Sequence, residues 1–346
     1  MAKFDALVAG GGPAGLLVGS VLARGGLRVL LADPNAGEAG PQGGHVHLLS
    51  DATWAGMRDL VPGLERSAVR HGAPMAPAGA AMLDGDLGTA HRAWPGRPQL
   101  DRALFDCVST EAGLSVTRGR IGAVTRRDGL WRADGYCAEW IIDATGGSRA
   151  TLRAVAGLAA VDLMEWGDRR GYASLVLEGI AWPNGRVGHG LRAEGGCGLV
   201  LRKTGRDTTL ATLQLVRPDA LPSGHAEFFD CIADVAPPQI AKWLHWGIPI
   251  EAVRRWTSRR SSAMLVDAAP EATGWMAVGD ALLNSAPHHG QGLAQIVEQV
   301  RLISAALASG LGLAGGATHL QAWAEQRVIA ATLSEKLAES CAAIAA

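Results

Sequence analysis

Two histidine pairs and two glycine-rich turns hold most of the chemistry this sequence can offer. His45 and His47 lie in the stretch Gln42-Gly43-Gly44-His45-Val46-His47-Leu48-Leu49, and His288 and His289 follow Pro287 near the C-terminal third of the chain. A histidine beside a bound ligand can donate a proton, take one from an acidic hydroxyl or N–H, or simply hydrogen-bond to backbone, because its pKa lies near neutrality. Adjacent residues seldom point the same way, and His288-His289 has no acidic or cysteine partner nearby. The pattern therefore excludes a metal site.

The first glycine turn reads Gly10-Gly11-Gly12-Pro13-Ala14-Gly15. Gly10 permits a tight turn, Gly12 lets backbone approach a pyrophosphate, and Gly15 lets a helix pack close on a sheet. A helix beginning at this turn presents free N–H groups and a partial positive charge to phosphates. Pro13 and Ala14 fall in its first turn, where a missing N–H loses nothing. Asp33 follows Gly10 by 23 residues at the end of the next apolar run. A carboxylate there accepts hydrogen bonds from both hydroxyls of an adenosine ribose and repels a 2′-phosphate, which favours a dinucleotide other than NADP.

The second turn lies in Gly274–Leu293. Gly279-Asp280 ends a strand, and Gly290-Gln291-Gly292-Leu293 opens a helix. An Asp at such a strand end can bind a ribityl hydroxyl, and a glycine-rich helix start can place N–H groups against the negative edge of a reduced flavin. With Ala281, Pro287 and these glycines, the segment resembles the GDAxxxxxPxxGxG-type motif of the aromatic-hydroxylase-like FAD oxidoreductases, the p-hydroxybenzoate hydroxylase fold. Arg97-Pro98-Gln99-Leu100 is similar to that family's R-x-x-L helix start, whose Arg contacts the flavin dinucleotide. Asp143-Ala144-Thr145-Gly146 resembles its strand-turn motif, in a D-A-T-G form and not the D-G form of NADPH-using hydroxylases. The segment at 42–49 is similar to a Q-G-R-H-x-H stretch, with Gly44 in place of Arg, and Ala294 stands where many hydroxylases carry Asn. Ile121 joins Arg97 and Asp143 in the expected cofactor-binding set.

The elements that must position these residues follow from hydrophobic periodicity. Residues 4–9 and 27–32 read as buried strands, with Leu17, Val18, Val21 and Leu22 at helical spacing between them. Strand, turn, helix and strand within roughly 30 residues make a βαβ unit and hence a parallel sheet. Helices are expected over 51–60 and from Leu100 to Val108, and strands over 114–117, 121–125, 130–133 and 274–278. Beyond 158 the pattern changes to strands at 172–178, 197–202 and 208–216, with a hairpin at Lys203–Arg206. The last 28 residues read as a helix.

The expected architecture is α/β: a Rossmann-like FAD-binding domain (1–75, 95–157 and 268–310) interleaved with a smaller, mostly antiparallel substrate domain (76–94 and 158–267). A C-terminal helical segment (311–346) follows. Net charge is −1, with 32 basic and 33 acidic residues well mixed, which excludes a nucleic-acid footprint. Five cysteines, odd in number and without a CxxC pair, read as reduced thiols. Neither a signal peptide nor a ~20-residue apolar span is visible, so a cytoplasmic protein is expected. Trp is the commonest aromatic, 11 against 4 Phe and 2 Tyr, and Trp166, Tyr172, Trp182, Trp243, Trp246 and Trp256 are candidates to line a substrate pocket. Arg254, Arg255, Arg259 and Arg260 surround Trp256, either as a solvated face or as a dock for an acidic partner.

The resemblance implies an FAD-dependent monooxygenase that uses reduced flavin and O2 to hydroxylate or epoxidise an aromatic or hydrophobic substrate, including a peptide- or carrier-bound one. NAD(P)H or a separate flavin reductase supplies the electrons. His45, His47, Pro287, His288 and His289 are the candidates for the pocket above the flavin. A reductase or dehydrogenase of the same fold is the alternative, and a flavin-binding maturation protein without turnover is the third. Halogenation is disfavoured, because no W-x-W-x-I-P stretch or clear catalytic Lys follows the glycine loop.

Overall fold

A computed structural model describes residues 2–38, 40–47, 49–76, 92–93, 95–182, 188–192, 197–285 and 291–345. The chain opens with β1 (Ala2–Ala9), α1 (Pro13–Arg24) and β2 (Val29–Ala32), the βαβ unit expected from the first turn. Ala6–Ala9 and Val29–Ala32 are buried throughout, as parallel strands covered on both faces must be. Helices α2 (Asp51–Leu60) and α3 (Leu64–Arg70) follow, then the short antiparallel pair β3 (Met75–Ala76) and β4 (Arg92–Ala93). Next come α4 (Arg97–Val108), β5 (Leu114–Thr117), β6 (Thr125–Arg127), β7 (Leu130–Ala133), β8 (Tyr136–Asp143) and α5 (Leu152–Ala156).

Strands β5, β2, β1 and β8 are parallel neighbours, and β6 and β7 extend the sheet as an antiparallel meander. Of the strand expected over 121–125, only Thr125 lies in β6. Asp128 and Gly129 at positive φ turn the chain into β7, so the ladder forms nearer the turn than the apolar run at 121–124 implied.

The middle of the chain supplies β9 (Ala160–Trp166), β10 (Gly171–Glu178), β11 (Gly188–Arg192), β12 (Gly198–Lys203) and β13 (Thr208–Leu215). Helices α6 (His225–Val235) and α7 (Pro238–Leu244), which the sequence reading did not place, come next. They are followed by β14 (Ile248–Pro249), β15 (Arg254–Thr257) and β16 (Ser261–Asp267). Strands β11-β12-β13-β10 form an antiparallel sheet, with β14 and β15 both pairing β10. One face carries a separate core in which Ala173, Leu175, Leu177, Leu199, Leu201 and Leu213 meet Phe228, Phe229, Ile232 and Leu244 of the two helices.

The chain returns through α8 (Pro270–Thr273) to β17 (Trp275–Ala277), which pairs β8 in parallel. Then follow β18 (Leu283–Asn284), α9 (Gly292–Ala308) and α10 (Gly312–Ala345). The β9–β16 ladder was expected with the substrate domain, but Val161, Trp166, Ala263, Met264 and Leu265 pack on the core of the first sheet. Among the described residues no helix is long and apolar enough to cross a membrane.

Candidate functional site

The first turn is fixed by contacts that allow no side chain. Gly10 has φ +105°, and a Cβ there would lie 2.4 Å from the Ala144 carbonyl oxygen. A Cβ on Gly15 would lie 1.8 Å from the Gly10 oxygen, so α1 packs directly on its own turn. Gly12 is the extended residue before the helix, with Pro13 in the first turn and Leu16 N–H bonded to Gly12 O at 3.0 Å. The space where a Gly12 side chain would begin is open, its nearest neighbour being Arg97 Nη2 at 4.0 Å. Asp33, at the end of β2, accepts Gly11 N–H at 2.6 Å and Asn35 N–H at 2.7 Å, which sets its carboxylate on the turn.

Arg97 begins α4, with Pro98 in the first turn, and its Nε donates to Asp101 Oδ1 at 2.7 Å. Burial pushes the Asp101 carboxyl up and Arg97 pulls it down. Arg97 thus stands with its charge over the glycine turn. Ile121 lines a cavity of about 210 Å³ with Leu7, Leu30, Ala32 and Thr117.

The second turn is tied to the first through the parallel β8–β17 pair. Val278 N–H bonds to Asp143 O at 2.9 Å and Ala144 N–H to Ala9 O at 2.8 Å. The Asp143 carboxylate is fully buried and accepts four hydrogen bonds, from the amides and hydroxyls of Thr145 and Thr151, at 2.6–3.0 Å. In this arrangement Asp143 locks the D-A-T-G turn. Gly279 (φ +64°) passes so close to α1 that a Cβ would meet Ala14 Cβ at 2.7 Å. Its N–H donates to the buried Gln299 Oε1 at 2.6 Å. Arg149 braces the same turn, donating to Ala281 O at 2.9 Å and to Ser262 Oγ at 2.8 Å. Burial raises the Asp280 carboxyl, and the guanidiniums of Arg97 and Arg149 oppose that shift. Gln291 precedes α9, Gly292 starts it and Leu293 is buried. Pro287, His288, His289 and Gly290 lie outside the described residues.

The loop bearing His45 and His47 is stitched to the face of the antiparallel sheet opposite its helices. Residues directly opposite each other on paired strands share a face. The register therefore sets Arg254, Ser174, Thr212 and Val200 in one row and Trp256, Tyr172, Gln214 and Gly198 in the next. His45 Nδ1 lies 2.7 Å from Ser174 Oγ, and Ser174 Oγ lies 2.7 Å from Thr212 Oγ1. Thr212 Oγ1 also accepts Val46 N–H at 3.0 Å. Arg202, buried and pushed down to about 9 by that burial, reaches His47 O at 3.4 Å. Burial, with the Arg254 charge second, holds the His45 imidazole below its ordinary pKa.

The His45 ring lies 5.8 Å from Trp256, which in turn is 5.2 Å from Tyr172. Of the candidate pocket aromatics, Tyr172 and Trp256 are thus on the loop-facing side. Trp182 and Trp243 pack edge to face near the helical core, Trp166 joins the first core, and Trp246 is 72 % exposed. Ser174, Thr212, Arg202 and Gln299 went unnoticed in the sequence. Their signal was slight: single polar residues at alternate positions of apolar strands, and one amide inside an apolar helix.

Among the described residues no cluster of three metal-ligating side chains occurs, and the cysteines at 107, 137, 197 and 231 are free. The two turns do fit a flavin dinucleotide. A Cβ-free helix start, an acid at the end of β2, Arg97 above them and Asp280 beside α1 are the donors and acceptors such a molecule needs.

No family model and no curated protein matches the chain. Solved structures do. The flavin-dependent brominase Bmp2 superposes with a TM-score of 0.72 at 16 % identity, covering 94 % of this chain and 84 % of its own. PqsL of P. aeruginosa, solved in complex with 2-aminobenzoylacetate, gives 0.72 at 18 % identity, covering 95 % and 94 %. OxyS anhydrotetracycline hydroxylase from Streptomyces rimosus gives 0.60 at 16 % identity, covering 89 % and 62 %. The chain has the fold these flavoproteins share, an α/β layer with a parallel sheet joined to an antiparallel one.

Proposed function

We propose that the chain is an FAD-dependent monooxygenase acting on an aromatic or otherwise hydrophobic small molecule. The observation that carries this reading is the approach of Gly279 to Ala14, with Asp280 and Arg97 beside it. That approach joins the adenosine-side turn and the flavin-side turn into one continuous cradle. The flavin fold of the structural neighbours supports it, and the D-A-T-G turn leaves the electron source open between NAD(P)H and a separate flavin reductase.

In this reading Gly10, Gly12, Pro13, Ala14 and Gly15 bind the pyrophosphate, Asp33 the adenosine ribose and Asp280 the ribityl chain, with Arg97 balancing phosphate charge. Bound there, reduced FAD would supply two electrons and the centre at which O2 is activated. The chain's own residues orient the substrate and exclude water. The row Trp256–Tyr172–Gln214–Gly198 offers an aromatic wall and a flat floor, and His45 presents an imidazole at its edge. His47, Pro287, His288 and His289 remain candidates for the same pocket. A cytoplasmic location and a substrate bound to a peptide or carrier belong to the proposal too.

The test is to load the protein with FAD, reduce it, and supply 18O2 with a panel of aromatic compounds. Incorporation of 18O into product supports the monooxygenase. Hydride transfer to a C=C or C=N acceptor without 18O supports the reductase alternative, and FAD bound without either reaction supports the maturation protein. A chain that binds no FAD overturns the reading.

A further inference from the structure

We infer that the Ser174–Thr212 hydroxyl pair holds His45 as a neutral imidazole with its proton on Nε2, so that His45 serves its ligand as a fixed hydrogen-bond donor and not as a base. The catalytic meaning rests on the flavin reading above; the protonation state itself does not.

Four atoms in line, Val46 N, Thr212 Oγ1, Ser174 Oγ and His45 Nδ1, fix where the protons lie. Val46 N–H donates to Thr212 Oγ1, so that oxygen is already an acceptor. The hydroxyl proton of Thr212 has one acceptor among the described residues, Ser174 Oγ at 2.7 Å, and both side chains are buried. Once Ser174 accepts from Thr212, its own proton points to His45 Nδ1, also at 2.7 Å. Every donor in the chain is then used, and Nδ1 is an acceptor. The ring proton must sit on Nε2, on the side of the ring away from the sheet.

The reverse order leaves a buried proton stranded. An imidazolium, or the Nδ1–H tautomer, would donate to Ser174 Oγ and turn the Ser174 hydroxyl towards Thr212. Thr212 would then accept from both Val46 and Ser174, and its own proton would have nowhere to go. An unsatisfied buried donor is unfavourable. The hydroxyl pair thus opposes protonation of His45.

The surroundings act in the same direction. Among the described residues, the charged group facing His45 is Arg254 of β15, paired with Glu251 at 2.7 Å, and the ring also lies against the neutral indole of Trp256. A donor held in one protonation state stabilises negative charge developing on a ligand oxygen without itself changing charge.

The experiment is long-range 1H–15N NMR on the full chain with 15N-labelled histidine, with and without FAD. The wild type should show His45 Nδ1 as an unprotonated acceptor nitrogen and Nε2 as protonated at pH 7. A wild-type spectrum with the proton on Nδ1 overturns the proposal. Thr212→Asp replaces the chain's last donor by an acceptor, so it should move the proton to Nδ1 and raise the His45 titration midpoint by a unit or more. An unchanged spectrum in that variant also overturns it. Ser174→Thr keeps the hydroxyl and should retain the wild-type signature, which keeps the test decisive if Thr212→Asp does not fold. In turnover, a donor predicts no loss of rate as pH falls through the His45 midpoint, whereas a base predicts a tenfold loss per unit. Failure of FAD to bind would leave the NMR result intact, so the two readings fail separately.

Discussion

At the scale of single residues, the two turns differ in what they tolerate. Gly12→Val keeps an open backbone but fills the space beside Arg97, so it should abolish FAD retention while leaving the apo fold near its wild-type melting temperature. Gly15→Val drives a side chain into the Gly10 carbonyl and should fail as a soluble protein altogether; overpacking by far less costs about 1–3 kcal/mol. Asp280 illustrates a group kept at a cost. Its folded pKa is raised, so its charged form destabilises the fold as pH rises from the unfolded value of 3.8 through the folded one. Asp280→Asn should therefore raise the apo melting temperature, by about 2 °C per kcal/mol relieved, and weaken FAD binding at least tenfold. Calorimetry and flavin fluorescence read the two effects independently. His45 has the opposite sign to a histidine stabilised by an acid. Its folded pKa is lowered, so the unfolded chain takes up the proton first, and stability falls as pH drops from 6.5 towards the folded value. His45→Gln should flatten that slope in melting temperature measured between about pH 5 and pH 7.

At the scale of elements, α9 does more than bury a stripe. Gln299 sits fully buried near the middle of α9, about two turns from its start, and its side-chain carbonyl holds the Gly279 amide. Gln299→Leu would leave that buried N–H unsatisfied, a loss of about 1–3 kcal/mol seen in urea unfolding, together with weaker FAD retention; a variant with wild-type stability and flavin content would refute the role. The βαβ unit, the β8 and β17 strand ends and both glycine turns were legible because their physics is local: buried strands end where Gly10 and Gly279 must take positive φ. The helices α6 and α7 were not, since Phe228, Phe229 and Ile232 show their periodicity only against the sheet they cover. The stitching of His45 to Ser174 across 129 residues was equally invisible, because no spacing rule reaches across a loop to a strand of another sheet. Asp143 marks the reverse case. Its motif was read from the sequence, yet its carboxylate is consumed by Thr145 and Thr151, which only the folded turn reveals.

At the scale of the whole molecule, two hydrophobic cores meet across a layer of polar contacts. The loop at 43–47 belongs by sequence to the cofactor-side half, but its tethers are Ser174, Thr212 and Arg202 on the other sheet. Loosening those tethers should uncouple the halves: Thr212→Val is expected to lower the unfolding transition of the antiparallel sheet selectively, seen as hydrogen-exchange protection lost in β10, β12 and β13 before β1 and β2. One contact across this layer has a mutational corollary. The Arg254 side chain lies where a side chain at Gly44 would start, its Nη1 2.8 Å from the Cβ position. The two sites therefore share one volume, and the flexible Arg254 side chain, 53 % exposed, can swing aside when a side chain at position 44 fills it. Gly44→Arg should therefore shift the melting temperature little, and adding Arg254→Gly should remove what cost remains. A cation can thus reach one space from either position, from the turn at 44 or from β15 at 254.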